Sequence, residues 1–133
     1  MTLQLFDAPA AERLRNRINS DGLFGLVSRD MTLNVAIEAN GEARLLKFRD
    51  GALRAIGRFV PLTEPVDIAI QGNAEFWQKL LSPVPPPRFQ NLYAGVRAGT
   101  CVVAGNGELY NAYFPALSRM TEIMRDLQNA GHR

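Results

Sequence analysis

The sequence predicts an α+β fold in which helices cover one face of a five-stranded, mostly antiparallel sheet. Three observations support this prediction: two hairpin turns within an alternating run, two further strand-like runs, and apolar residues at helical spacing elsewhere. The chain has 133 residues, a length that suits one domain, 1–133. We divide it into N-terminal helices at 1–30, a core at 32–105 and an amphipathic C-terminal segment at 108–128.

The first predicted helix covers residues 8–19. Asp7 is a candidate for its N-terminal cap, and Pro9 falls in its first turn, where a backbone N–H has no helical partner. The dipeptide Asp21-Gly22 interrupts this helix. The apolar run LFGLV that follows predicts a short turn or a second helix.

Two hairpin-type dipeptides, NG at 40–41 and DG at 50–51, set the register of a three-stranded meander. Counting outward from the turns pairs Val35 with Leu46 and Leu46 with Ala55. Six apolar side chains then share one face: Leu33, Val35, Leu46, Phe48, Leu53 and Ala55. Six polar side chains share the other, solvated face: Asn34, Glu38, Lys47, Arg49, Arg54 and Arg58.

Residues 66–70, VDIAI, predict a fourth strand because their apolar side chains alternate. Asn73 is placed to cap the helix that follows, and Pro83 marks its end. Within this helix Glu75 and Lys79 are spaced to form an ion pair one turn apart. Its apolar side carries four large residues: Phe76, Trp77, Leu80 and Leu81.

After three prolines at 85–87, apolar residues at helical spacing predict a helix over 89–96. The run TCVVAGN predicts a fifth strand and a Gly-Asn-Gly turn. The next run, ELYNAYF, is strand-like up to Pro115, because the residue before a proline avoids the helical region. The C-terminal segment then carries one apolar stripe: Tyr110, Tyr113, Leu117, Met120, Met124 and Leu127. This stripe, at 110–127, is a candidate lid over the interior or the seam of a homodimer.

The composition gives little sign of catalytic chemistry. The net charge is +2 and the arginines are scattered, so a nucleic-acid partner is not indicated. Cys101, the only cysteine, lies in an apolar run and is predicted to be a buried, inert thiol. His132, the only histidine, falls in the last three residues and is a poor general base.

Other site chemistries and membrane segments are not indicated either. No paired histidines or grouped carboxylates suggest a metal, so we predict no catalytic residue, no metal and no cofactor. No run is typical of a signal peptide or a membrane span, so we expect a cytoplasmic location.

One enzymatic alternative stays open. A small cone-shaped isomerase or cyclase acts with a buried carboxylate and a tyrosine. Asp67 and Glu38 point away from the apolar face in the predicted strands. Asp30 and Glu64 fall in predicted loops. A third possibility is an accessory domain for protein interaction or dimerisation.

The apolar sheet face and the helices allow two interpretations. Their side chains either fill one another as a plain core or line a cavity of roughly 300–1,000 Å³, the size that small ligands use. The spacing of the residues does not choose between a filled and a hollow interior.

The segment 33–105 resembles the sterol carrier protein family of small lipid-transfer domains. The family shows an Asp in a strand, a polar turn, an aromatic and Leu-Leu in a helix, then a Phe and a Gly before a closing strand. The matching residues are Asp67, Asn73, Phe76, Trp77, Leu80, Leu81, Phe89, Gly95 and Gly105. Two departures are the inserted RAGTC and the longer C-terminal helix. Both change the region that would close the mouth of the ligand tunnel that the family resemblance implies.

The resemblance implies an apolar tunnel between the sheet and its helices, which binds sterol, fatty acid, fatty acyl-coenzyme A or another lipid without changing it. Similar domains also occur as accessory modules in quinone synthesis. We therefore expect a non-enzymatic carrier or binder of an apolar small molecule. The candidate ligand-binding residues are Leu33, Val35, Leu46, Phe48, Phe76, Trp77, Leu80, Phe89, Leu92, Tyr93, Val96, Tyr113 and Leu117.

Overall fold

A computed structural model describes residues 4–58 and 65–130, with the backbone alone at Arg58. The predictions that involve Glu64 and His132, and the direction of the Arg58 side chain, lie outside the described residues. Within these residues the chain forms one five-stranded sheet and six helices, which confirms the α+β fold class.

The five strands form a mostly antiparallel sheet in the order β3-β2-β1-β4-β5. Their bounds are β1 Leu33–Ala39, β2 Glu42–Arg49, β3 Ala52–Arg58, β4 Ile68–Gly72 and β5 Cys101–Gly105. Strand β4 runs parallel to β1, and the other three neighbouring pairs are antiparallel. The meander therefore forms one half of the sheet, and β4 and β5 extend it beyond β1.

The helices are short except at the two ends of the chain. A 3-10 turn at Gln4–Phe6 precedes α1 Ala10–Ser20, α2 Gly22–Val27, α3 Ala74–Leu80, α4 Leu92–Ala98, α5 Gly107–Ala112 and α6 Phe114–Gln128. Asparagine side chains cap three successive helices, since Asn73, Asn91 and Asn106 each accept the backbone N–H three residues later. The donor–acceptor distances are 2.8, 2.8 and 3.1 Å.

The first hairpin has the predicted register. Leu33 lies opposite Phe48 and Val35 lies opposite Leu46. All four side chains are buried in the main hydrophobic cluster. The NG turn and the alternation of the strands therefore agree on the same face, as the count from the turn predicted.

The register of the second hairpin differs from the prediction because of a β-bulge. Lys47 lies opposite Ala55, and Leu46 lies opposite Ile56 rather than Ala55. The bulge leaves Arg54 as an extra residue in β3, which shifts the alternation by one position. As a result the larger Ile56 is half-buried and packs against the core, while Ala55 is exposed.

The predicted solvated face is partly covered. Asn34 is buried, with 3% of its surface exposed, although it lies on that face. Its amide donates to the Pro65 carbonyl at 2.9 Å and accepts from Arg49 Nη1 at 3.0 Å. These two hydrogen bonds satisfy the amide, which removes the cost of burying it.

The N-terminal helix begins without the cap that the sequence suggested. Helix α1 has no side-chain cap, and Asp7 pairs instead with Arg44, whose Nε lies 2.9 Å from the Asp7 carboxylate. Arg44 is only 7% exposed, and a buried guanidinium needs such a partner. Asp21, which the sequence placed in an interruption, caps α2 by accepting the N–H of Phe24 at 2.8 Å.

Two further predictions are corrected between β5 and the chain end. The strand-like run ELYNAYF is largely helical, because Asn106 caps α5 and Pro115 sits in the first turn of α6, where proline is tolerated. The helix predicted over 89–96 begins only at the Asn91 cap, so Phe89 lies in the connector before it.

The core lies between the sheet and the helices. Helix α1 packs against β3, α4 against β5, and α6 against α1 and α2. The middle of the C-terminal stripe, at Leu117, Met120 and Met124, is fully buried within the chain. In the described part of the chain, no helix has the length and apolar character needed to cross a bilayer.

Candidate functional site

The structure brings most of the candidate ligand-binding residues into one buried apolar cluster. The members that are no more than 2% exposed are Leu33, Val35, Leu46, Phe48, Phe76, Trp77, Leu80, Leu92 and Leu117. Phe89 and Tyr113 are partly buried and pack against this cluster. We call the region in which these side chains pack together the interior.

Two candidates lie outside the interior. Tyr93 is 57% exposed and Val96 is 40% exposed, both on the outer side of α4. The helix faces the interior with Leu92 and Gly95 instead. Leu92 was therefore selected correctly by the apolar spacing, whereas Gly95 faces inward and its neighbour Val96 does not.

The sheet contributes residues that the candidate set omitted. Ile68 and Ile70 of β4 lie opposite Val35 and Ile37 of β1, and all are fully buried. The omission has a physical reason, since the parallel β1–β4 pair is not joined by a turn from which a register could be counted. The alternation of VDIAI was the available signal for their common face.

Phe76 occupies the centre of the interior and is enclosed by two glycines. Its ring contacts Trp77 edge-on, with 5.0 Å between ring centroids, and lies 6.4 Å from the ring of Phe89. A Cβ added at Gly95 would lie 2.5 Å from Phe76 Cε1, and one added at Gly72 would also collide with the ring. The absence of side chains at Gly72 and Gly95 therefore makes the room that Phe76 fills.

The indole of Trp77 is hydrogen-bonded to the sheet. Trp77 Nε1 donates to the backbone carbonyl of Glu38 at 3.0 Å. This bond satisfies the indole N–H, so Trp77 is buried at no hydrogen-bonding cost. It also fixes α3 against the end of β1.

Helix α6 holds the far end of α3 and the connector through backbone carbonyls. Arg125 donates to the carbonyl of Leu80 at 2.9 Å and to that of Gln90 at 2.8 Å. Asn129 donates to the carbonyl of Leu81 at 2.7 Å. The C-terminal helix is therefore hydrogen-bonded to the end of α3 and to the connector that follows it.

Burial perturbs two titratable groups near the interior, and two carboxylates nearby accept hydrogen bonds. Desolvation raises the pKa of the Cys101 thiol to about 11, so the thiol stays protonated at neutral pH. Desolvation, with a smaller contribution from Cys101, also raises the pKa of Tyr110. Asp67 accepts the backbone N–H of Asn34 at 2.7 Å, and Glu38 accepts from the Gln71 amide at 3.0 Å. Across the described residues, His, Cys, Asp and Glu form no group that could hold a metal ion.

Two surface clefts lie away from the interior. The larger, of about 650 Å³, is formed by the start of α1 and by β3, and Arg44 and Arg54 line it with Asp7 and Glu12. The smaller, of about 380 Å³, lies at the ends of β1 and β4 and is lined by polar residues and backbone. Neither of these two clefts contains a candidate ligand-binding residue.

Solved structures share this arrangement of helices and strands. A crystal structure of sterol carrier protein 2 superposes with a TM-score of 0.74 and 16% sequence identity, covering 92% of this chain and 98% of that chain. The chain has the sterol carrier protein fold. The resemblance predicted from the sequence is thereby confirmed at the level of the fold.

Two further structures with this fold span a similar share of each chain. A solution structure from Thermus thermophilus, described as a conserved hypothetical protein and possibly a sterol carrier protein, has a TM-score of 0.72 at 16% identity and covers 94% of this chain and 90% of that one. A structure named as the UbiJ-SCP2 ubiquinone synthesis protein has a TM-score of 0.57 at 21% identity, covering 84% and 86%. No protein-family model and no curated protein matches the sequence.

Proposed function

We propose that this protein binds, and can transfer, an apolar ligand such as a sterol, a fatty acid, a fatty acyl-coenzyme A or another lipid. The observation that carries the proposal is the likeness to sterol carrier protein 2, which extends over nearly the full length of both chains. The ligand would lie in the interior, between the sheet and helices α3, α4 and α6.

The chemistry of the interior supports binding without reaction. Its walls are aliphatic and aromatic, and the nearby Cys101 thiol is protonated at neutral pH. The carboxylates of Asp67 and Glu38 accept hydrogen bonds that tie the strands together. Transfer of an apolar chain into such surroundings contributes about 0.8 kcal/mol per CH₂, so eight methylenes supply ~6 kcal/mol before ordering costs.

Binding requires some of the contacts within the interior to separate, because nine of the candidate side chains pack together in this structure. Helix α4 is the element best suited to move. It has only seven residues, and the element that it packs on most is the edge strand β5. Displacing Leu92 with α4 would open the space beside Phe76.

The proposal is tested by displacement of a fluorescent fatty acid at micromolar concentration, with native mass spectrometry to detect bound lipid. Leu92→Ala removes apolar surface from the proposed ligand contact, and we expect binding to weaken about five- to tenfold. Leu26→Ala is the matched control, because Leu26 is exposed on α2 and should leave the affinity unchanged. Empty protein and no displacement of the probe would refute the proposal.

A second candidate ligand is an isoprenoid quinone or one of its lipid-soluble precursors. The likeness to a structure named as a ubiquinone synthesis protein favours this ligand class. A short-chain ubiquinone and a fatty acid of similar apolar size should be compared in the same displacement assay. Stronger displacement by the quinone would support the second candidate, and weaker displacement would favour the fatty acid.

A further inference from the structure

One continuous segment of the chain carries positive charge and no negative charge. Residues 76–107 contain Lys79, Arg88 and Arg97 but no Asp or Glu. An even distribution of the 13 acidic residues over the 133 positions would place about three in this segment. The segment includes most of α3, the connector, α4 and β5, so its charge asymmetry covers one part of the fold.

The same segment exposes large apolar side chains. Six such side chains are exposed among the described residues, and four of them lie here: Val84, Tyr93, Val96 and Val102. Val102 belongs to the face of β5 opposite the buried Cys101, so it points away from the helices. Val84 is the most exposed of the four, at 85%.

Helix α4 places an aromatic, an aliphatic and a cationic side chain on one outward face. Tyr93, Val96 and Arg97 are three and four residues apart, which is the spacing of a helix face. Arg97 Nη1 lies 3.4 Å from the Tyr93 hydroxyl oxygen, and the guanidinium lies 5.8 Å from the centre of its ring. We call Tyr93, Val96 and Arg97 the α4 surface; Val84 and Arg88 lie in the connector that precedes this helix.

In the described part of the chain, Arg97 of the α4 surface and Arg88 of the preceding connector have no carboxylate partner. An exposed group of this kind, apolar and aromatic with cations at its edge, is complementary to an anionic lipid surface. In such a contact the guanidinium groups pair with lipid phosphates, and the tyrosine and valine side chains enter the headgroup region.

We infer that the α4 surface docks this protein on membranes that contain anionic phospholipid. The inference goes beyond the proposed function, because it concerns the outer face of α4 and not the interior. Since Leu92 on the inner face of the same helix borders the interior, docking would bring the proposed ligand site to the bilayer.

The test is co-sedimentation of the full chain with vesicles of phosphatidylcholine and phosphatidylserine, and with vesicles of phosphatidylcholine alone. We expect binding to the anionic vesicles only, weakened by salt. Arg97→Gln should reduce binding about fivefold, and Val96→Ser should reduce it several-fold. Both side chains are exposed, so unchanged thermal unfolding verifies that the variants fold.

Two matched controls test whether binding depends on this surface, on the net charge of the protein, or on the exposed apolar residues of α2. Arg54→Gln removes the same charge from an exposed position on β3, and Leu26→Ser removes an exposed apolar residue from α2. Both should bind as the parent does. Equal losses in all four variants, losses confined to the controls, or no binding to anionic vesicles would overturn the inference. Loss of vesicle binding in Arg97→Gln with normal displacement of the fluorescent fatty acid would separate the docking surface from the ligand site.

Discussion

Phe76 lies between Gly72 and Gly95, and this contact is what requires a glycine within α4. Gly95→Ala would place its Cβ 2.5 Å from Phe76 Cε1 and 3.2 Å from Cys101 Cβ, in a fully buried position. We expect this substitution to lower the free energy of unfolding by about 1–3 kcal/mol, as overpacked cores do.

The matched control for this substitution is Gly25→Ala in α2. A Cβ at Gly25 meets no atom within 4 Å, so alanine should raise the free energy of unfolding by about 0.5–1 kcal/mol through its better helix propensity. Urea unfolding of both variants measures the two changes. Equal effects of the two substitutions would contradict the packing role of Gly95.

Asp67 is predicted to stabilise the junction of β1 and β4. Its Oδ2 accepts the Asn34 N–H at 2.7 Å, and its own N–H donates to the Asn34 carbonyl. Asp67→Ala leaves the Asn34 N–H without this acceptor, and we expect a loss of about 1–3 kcal/mol in the free energy of unfolding. Asp67→Asn keeps an acceptor oxygen and should lose less. If Asp67→Ala unfolds at the same urea concentration as the parent, the hydrogen bond has no stabilising role.

Individual residues show where sequence reasoning reached its limit. The buried Leu33 and Phe48 were predicted correctly, because the hairpin turn and the alternation fix their face together. Ala55 was placed on the wrong face because one extra residue in β3 cannot be seen in the turn sequence. Asn34 was expected in solvent because its partners, Arg49 and the Pro65 carbonyl, come from other strands and loops.

At the scale of elements, an ion pair joins α2 to α6. Arg119 Nη2 lies 2.8 Å from Asp21 Oδ1, and Arg119 Nε lies 2.9 Å from the other carboxylate oxygen. This pairing, with the Phe24 N–H, lowers the pKa of Asp21 from 3.8 to about 2. Because the folded pKa is depressed, the stabilisation is present above pH 4 and is lost as the pH falls towards 2.

Arg119→Met should therefore lower the free energy of unfolding by about 1–2 kcal/mol at neutral pH, with a deficit that shrinks between pH 4 and pH 2. Urea unfolding at several pH values measures this. Lys79→Met is the control, since its pair with Glu75 is exposed and is worth less than about 0.5 kcal/mol. A deficit that is independent of pH would show that the charge of Asp21 is not responsible.

The elements were predictable wherever a local signal fixed them. Asn73 capped α3 as expected, and Glu75 pairs with Lys79 at 3.5 Å. The helix α5 was missed because the same asparagine-capping signal, at Asn106, was interpreted as part of a turn. The sequence predicts a strand–helix boundary at Pro115, whereas this residue lies in the first turn of α6.

At the scale of the whole molecule, the fold class was predictable and the strand order was not. The dipeptides at 40–41 and 50–51 place β1, β2 and β3 side by side. They carry no information on which edge of the meander receives β4. The parallel pairing of β1 with β4 arises from a crossover connection, and its register depends on contacts that are distant in sequence.

The candidate site could be predicted only in part, because helix rotation decides which side chains face inward. Phe76, Trp77 and Leu80 were assigned correctly to the buried side of α3. In α4, Leu92 and Gly95 face inward, and Tyr93 faces solvent. That outward face is the one that we assign to membrane docking.

The central proposal, that an apolar ligand lies between the sheet and the helices, is tested most directly by methyl NMR. Fatty acid is titrated into protein with labelled leucine methyl groups, and the chemical shifts of buried and exposed leucines are compared. We predict that the methyl signals of Leu80, Leu92 and Leu117 shift to saturation, while those of the exposed Leu23 and Leu26 stay in place. Shifts confined to Leu23 and Leu26, or no shifts at all, would contradict the proposal.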